Sequence, residues 1–161
     1  MTLWNWPPVS VDVTPGITPA RYSGHATAGV SWTSLVWSGV ANAATLIDAE
    51  QTGIARAGSD WTFAAGGIYV IDFMSKAFRT VAADIGIRAR LGGVTVGGPS
   101  LSSTESSSRM TLARLHKCLT LAAGAVVTLQ YAVTSGFASA AAVTIDGDPG
   151  HVCDIEIYRI G

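Results

Sequence analysis

The sequence predicts an all-β fold, a β-sandwich or jelly roll, and three observations carry that prediction. Short runs rich in Val, Ile, Thr, Tyr, Phe and Trp recur at intervals of roughly 8 to 12 residues. Glycine-containing turn signals separate them: Thr52-Gly53, Ala57-Gly58, Gly66-Gly67, Gly92-Gly93 and Ala123-Gly124. The stretch WTFAAGGIYVIDF, residues 61–73, then gives two alternating runs hinged on Gly66-Gly67, with Trp61 and Phe63 before the hinge and Ile68 to Phe73 after it.

Taken in order, residues 1–29 read as an extended arm. Trp4, Trp6, Pro7, Pro8, Pro15, Gly16 and Pro19 punctuate it, and it shows little periodicity. Two tryptophans carry a large apolar area that is costly to leave in water. The expectation is therefore an arm that docks on a neighbouring subunit or scaffold through Trp4, Trp6, Pro7 and Pro8, ahead of one domain at residues 30–161.

Residues 31–40 and 43–47 are strand-like, and residues 51–58 carry turn signals. After the central stretch, residues 78–81 give a short run. Residues 85–91 then alternate, with Ile85, Ile87, Ala89 and Leu91 on one face and Arg88 and Arg90 on the other. A solvated face is the default for the two arginines, which are also candidates to pair with Asp154 or Glu156. Gly92-Gly93 suits a hairpin and residues 94–96 a short strand. The following GGPSLSSTESSS, residues 97–108, reads as a polar surface loop.

Residues 109–121 fit both periods: Leu112, Leu115 and Leu119 lie at helical spacing, while Leu115, Leu119 and Leu121 also fit a strand. Strand-like segments on either side favour a strand. Residues 122–124 then turn, residues 125–133 and 138–145 form further runs, and DGDPG, residues 146–150, makes a tight turn. The last strand, residues 152–160, sets Cys153, Ile155 and Ile157 opposite Asp154, Glu156 and Tyr158.

Composition narrows the function. The chain of 161 residues is 48% hydrophobic and 13% charged, with a net charge of −1. So few charges cover a monomer's surface poorly, which points to an apolar subunit interface. There is no block of Lys or Arg, so no nucleic-acid-binding face is expected. No apolar run reaches the ~18 residues of a membrane span. The opening MTLWNWPPVS lacks the basic and apolar regions of a signal peptide, so secretion by that route is not expected.

No catalytic motif is present. His25, His116 and His151 show no metal-ligand spacing, and no Gly-x-Ser-x-Gly or phosphate-binding glycine pattern occurs. Asp146 and Asp148 are a weak calcium candidate, although two carboxylates beside Pro149-Gly150 are far more often a plain turn. Cys118 and Cys153 read as two buried reduced thiols, with a disulfide the lesser alternative. No cofactor is implied.

The order of these signals resembles the C1q/TNF-like jelly-roll superfamily over residues 32–161. Phe63 to Tyr69, an aromatic, a small turn and Gly-Ile-Tyr, resembles its most recurrent motif. Residues 85–93 are similar to its strand ending in an Asn-Gly-type turn, with Gly92 in place of Asn. LTLAAGAVVTL, residues 119–129, resembles its Gly-Asp hairpin, with Ala125 in place of the acid. Residues 152–160 resemble the C-terminal strand at the middle of its inner sheet.

That resemblance implies a homotrimer packed through the inner sheet, with Tyr69, Ile71 and Phe73 or their even-numbered neighbours, and Tyr158 and Ile160, as interface candidates. Core packing is the competing reading for each of them. No collagen-like repeat precedes the domain, and short glycine- and alanine-rich chains of this kind look like virion proteins of tailed bacteriophages. The expectation by analogy is a non-enzymatic trimer that decorates or cements a capsid, assembled in the host cytoplasm, with a major capsid or other virion protein as partner. A receptor- or glycan-binding tip of a fibre is the alternative. It is less favoured because the aromatics lie in the arm and none lies in the loop at residues 97–108.

Overall fold

The computed structural model describes residues 17–26, 31–32, 37–40, 46–79, 83–104, 109–133, 138–139, 144–145, 148–149 and 153–161. Among them the regular structure is β-strand, arranged as two antiparallel sheets and a small two-stranded ribbon.

The first sheet is built on β7 (Gly67–Arg79). On one side it pairs along its whole length with β10 (Arg109–Leu121), from Gly67↔Leu121 to Arg79↔Arg109. On the other side lies β15 (Cys153–Arg159), followed by β1 (Arg21–Ala26) and the edge strand β4 (Ile47–Thr52). The short strands β2 (Ser31–Trp32) and β12 (Ala138–Ser139) extend the far end of β7. The second sheet runs in the order β5 (Ile54–Ala57), β6 (Asp60–Phe63), β11 (Val126–Val133), β8 (Ala83–Leu91) and β9 (Val94–Thr104), with β3 (Ser38–Gly39) on β11. The ribbon joins β13 (Thr144–Ile145) to β14 (Asp148–Pro149) across residues 146–147.

The chain passes from one sheet to the other at β2 to β3, β3 to β4, β4 to β5, β6 to β7, β7 to β8, β9 to β10, β10 to β11 and β11 to β12. This crossing makes the sandwich a jelly roll. It also follows from the pattern of side chains, because strands such as β1, β6, β7, β11 and β15 each have one apolar face to bury, which the facing sheet covers. The shared core is aromatic at its centre. Tyr22, Trp61, Phe63, Tyr69 and Phe73 are all fully buried. Trp61 meets Tyr22 edge-on at 5.5 Å, and Phe63 meets Tyr69 edge-on at 4.6 Å.

The turns follow the glycine signals. Gly92 and Gly93 have φ of 55° and 83°, the left-handed pair that a two-residue hairpin between β8 and β9 requires. Gly67 is set by close approach instead. A Cβ there would lie 2.2 Å from the carbonyl oxygen of Gly161, whose backbone is held by Ile68.

Three expectations change. Residues 21–26, placed in the arm, form β1 between β15 and β4; Tyr22, Gly24 and Ala26 point inward, an alternation that short residues obscure in the sequence. Residues 97–104, read as loop, continue β9, because the open edge of β8 offers backbone partners that Ser and Gly accept as readily as Val. Pro99 is tolerated because β9 ends the sheet order. The break expected before residue 78 is absent, since β7 runs unbroken to Arg79. Residues 1–16, including Trp4, Trp6, Pro7 and Pro8, lie outside the described residues, as does Asp146.

Candidate functional site

Alternation along β7 decides which residues each face presents. Tyr69, Ile71 and Phe73 point into the sandwich and are fully buried, so within one chain they are core. The intervening Ile68, Val70, Asp72 and Met74 point outward. β15 does the same: Cys153, Ile155 and Ile157 face inward, and Asp154, Glu156, Tyr158 and Ile160 face outward. The sequence candidates therefore divide. Tyr158 and Ile160 lie on the outward face, while Tyr69, Ile71 and Phe73 support it from beneath.

Register sets the outward residues in rows. Cys118, Val70, Tyr158 and Arg21 are consecutive cross-strand neighbours on β10, β7, β15 and β1. The next row holds His116, Asp72, Glu156 and Ser23, and the one beyond it Arg114, Met74, Asp154 and His25. At one end of this face, Ile68 is 40% and Ile160 47% exposed; towards the other end, on β10, Leu112 is 49% exposed. Val70 is nearly buried although it points outward. It lies between Cys118 and Tyr158 in its row.

Among the described residues, several charges on this face are paired within the chain. Arg114 grips Asp72 with two nitrogens, Nε to Oδ1 at 2.9 Å and a second contact to Oδ2. His116 Nδ1 lies 3.3 Å from the same Oδ2. Arg114, followed by His116, holds the Asp72 carboxyl below the usual carboxylate range, against the opposing effect of its partial burial. Arg21 lies 3.5 Å from Glu50 and 3.8 Å from Glu156. Beside these pairs, Ile68, Tyr158, Ile160 and Leu112 present apolar surface.

The outward face of the second sheet is different in kind. Arg88 and Arg90 project from β8 on that side, and neither meets Asp154 or Glu156, which stand on the other sheet. Arg88 Nε donates to Gln130 Oε1 at 2.9 Å, and its guanidinium lies 4.0 Å from the Trp37 ring centre.

The cysteines do not approach as a disulfide. Cys118 is exposed on β10, which corrects the expectation of two buried thiols, and Cys153 is buried on the inward face of β15. Burial pushes the Cys153 thiol far up, so it stays protonated. Among the described residues no group of three or more His, Cys, Asp and Glu comes together that would hold a metal ion.

Of the outward residues, Leu112 and Cys118 were not among the interface candidates, and Ile68 and Val70 entered only as even-numbered neighbours of Tyr69, Ile71 and Phe73. Their signal was parity: once Tyr69 and Phe73 are assigned inward for their size, every even residue of β7 must face out. Trp37 and Gln130 had no comparable signal, because they meet Arg88 only through the pairing of β3 and β8 with β11.

Comparison with protein-family models gives no match, and comparison with curated proteins gives none. Solved structures do match. A crystal structure of murine APRIL at pH 8.0 aligns with a TM-score of 0.55 at 9% identity, covering 88% of this chain and 99% of that one. A second murine APRIL crystal structure, at pH 8.5, aligns with a TM-score of 0.53 at 9% identity, over 88% and 99% of the two chains. The structure of Eiger TNF from S. frugiperda aligns with a TM-score of 0.55 at 10% identity, covering 89% of this chain and 92% of that one. With two crossed antiparallel sheets over nearly the full length of those chains, this chain has a TNF-like jelly-roll fold.

Proposed function

We propose that the chain is a non-enzymatic structural module that assembles as a homotrimer through the outward face of its first sheet. The observation that carries the reading is the composition of that face. Ile68, Tyr158, Ile160 and Leu112 present apolar surface there, while Arg114 pairs with Asp72 and Arg21 lies between Glu50 and Glu156. Burying such a face against its own copies removes apolar area from water while each of these charges keeps a partner of opposite sign. The count of three comes from the likeness to C1q/TNF-type jelly rolls.

In this reading the assembly belongs to a tailed-bacteriophage virion. It decorates or cements the capsid, with Trp4, Trp6, Pro7 and Pro8 anchoring each copy on a major capsid or other virion protein. Three arms on one trimer strengthen attachment by avidity. The support for this step is the low charge and the Trp/Pro-rich segment of residues 1–16, read by analogy.

The test is native mass. The full chain is expected at three times the monomer mass, and Tyr158→Asp or Ile160→Asp is expected to give folded monomers. A wild-type monomer at micromolar concentration, or a Tyr158→Asp chain that stays trimeric, rules the interface out. Attachment is tested by removing residues 1–16 and no further, because residues 21–26 form β1. The trimer should survive that deletion and stop co-sedimenting with its particle, and retained attachment would reject the arm.

A further inference from the structure

We infer that the outward face of the second sheet carries a binding site for an acidic saccharide, with Arg88 as its anchor. The site lies on the sheet opposite the proposed trimer interface, so it goes beyond the assembly reading and does not depend on it.

The starting point is an imbalance of charge. Among the described arginines, Arg21 has Glu50 and Glu156, Arg56 on β5 has Asp48, Arg114 has Asp72, and Arg159 on β15 is taken up by the carbonyl oxygens of Gly161 and Thr18. Arg88 and Arg90 stand two residues apart on one face of β8 with no carboxylate in contact among the described residues. Each keeps the other's charge company, and partial burial together with Arg90 lowers the basicity of Arg88. Two like charges held side by side on a folded strand favour an anion between or above them.

Arg88 is also preorganised. A register shift between Ile87 and Ala89 puts it opposite a β-bulge of β9, where Gly98 and Pro99 together span the place across from Arg88. Gln130 takes its Nε, and the Trp37 ring fixes the plane of the guanidinium. The two terminal nitrogens have no acceptor among the described residues, and the side chain is only partly buried. That leaves the forked edge of the guanidinium, the geometry that receives two oxygens of a carboxylate or sulfate. Arg90 is tied back by its contact with the Gly93 carbonyl and contributes mainly charge.

The neighbours choose among anions. Thr128 is the cross-strand neighbour of Arg90, and Asp60 is the neighbour of Thr128 on the next strand. Thr128 Oγ1 donates to Asp60 Oδ1 at 2.5 Å, so a carboxylate is displayed about 10 Å from the Arg90 strand, two strand spacings away. A polyphosphate or an acidic peptide would be repelled there. A sugar that carries an acid at one position and hydroxyls at others fits both ends, with its oxyanion on Arg88 and its hydroxyls donating to Asp60. The chemistry is a sugar-borne oxyanion, from either a uronic acid or a sulfate ester.

The experiment titrates the full-length chain by calorimetry with four probes at low salt: oligogalacturonate, a sulfated galactose oligomer, a neutral galactose oligomer, and polyglutamate. Binding of either acidic saccharide, weakened at least about tenfold in Arg88→Gln and by added salt, is the expected result. The first two probes distinguish carboxylate from sulfate. Arg90→Gln gives the same comparison where Arg88→Gln fails to fold, and melting temperature and native mass report on folding in both. No binding of either acidic saccharide, equal binding of polyglutamate or the neutral oligomer, or binding indifferent to both substitutions would each overturn the proposal. Loss of saccharide binding with native mass unchanged separates this site from the assembly interface.

Discussion

Asp48 joins three strands from both sheets through one carboxylate. It accepts from the Tyr22 hydroxyl of β1 at 2.6 Å, from Arg56 Nε of β5 at 2.5 Å, and at its other oxygen from a terminal nitrogen of Arg56 at 2.9 Å. Gly24 makes room for this contact, since a Cβ there would lie 2.3 Å from the Tyr22 hydroxyl. The side chains of Arg56 and Asp48 are only 15% and 27% exposed, so solvent screens the pair less than a surface bridge. Arg56 first, then Tyr22, holds the Asp48 carboxyl below its ordinary value against the opposing effect of burial. A carboxyl depressed in the folded state contributes stability above its unfolded pKa of about 3.9, and that contribution is lost as pH falls through the folded value. Asp48→Asn should therefore cost about 1–2 kcal/mol at pH 7, and the difference from wild type should shrink below about pH 3. Urea denaturation followed by tryptophan fluorescence at both pH values measures this. A loss equal at both would assign the effect to packing and not to charge.

At the scale of elements, β15 shows how alternation divides labour within one strand. Its Ile155 and Ile157 are fully buried, while Glu156 between them is exposed and reaches only Arg21 at 3.8 Å. Ile157→Ala should lower stability by about 2–5 kcal/mol, because the sandwich cannot collapse onto the vacated space. Glu156→Ala should change it by no more than about 0.5 kcal/mol. Thermal unfolding of the two variants side by side tests the register, and a costly Glu156→Ala would mean that the charges of this face act as a network. The same alternation was legible in residues 85–91, where Arg88 and Arg90 stand opposite Ile87 and Ala89. It was illegible in residues 21–26, where Gly24 and Ala26 are too small to mark a buried face, and in residues 97–104, where Gly, Pro, Ser and Thr carry no apolar alternation.

For the whole molecule, the two sheets present opposed surfaces of different character. Among the described residues, the first carries apolar side chains beside paired charges, and the second carries Arg88 and Arg90 without acidic partners. An assembly through the first leaves the second directed away from the axis. If the folded state is a trimer, its stability is linked to protomer concentration. The melting temperature of the wild type should rise as concentration is raised about a hundredfold, whereas that of Tyr158→Asp should not; differential scanning calorimetry at two concentrations checks both. A wild-type melting temperature independent of concentration would count against assembly through this face.

By itself the sequence determined that the chain is an all-β sandwich or jelly roll, because side-chain period and glycine placement are local properties that survive without knowledge of partners. Turns at Gly53, Gly92-Gly93 and Gly124, the inward face of residues 153–157, and the strand at residues 109–121 all follow from it. Only the tertiary structure decided which face of β7 is core. Both its odd and its even residues include large apolar side chains, and the choice rests on Phe63 and Trp61 arriving from the opposite sheet to pack around Tyr69 and Tyr22. It also decided the company of Arg88. Trp37 and Gln130 lie 51 and 42 residues away in the chain, and strand pairing alone brings them to the same guanidinium.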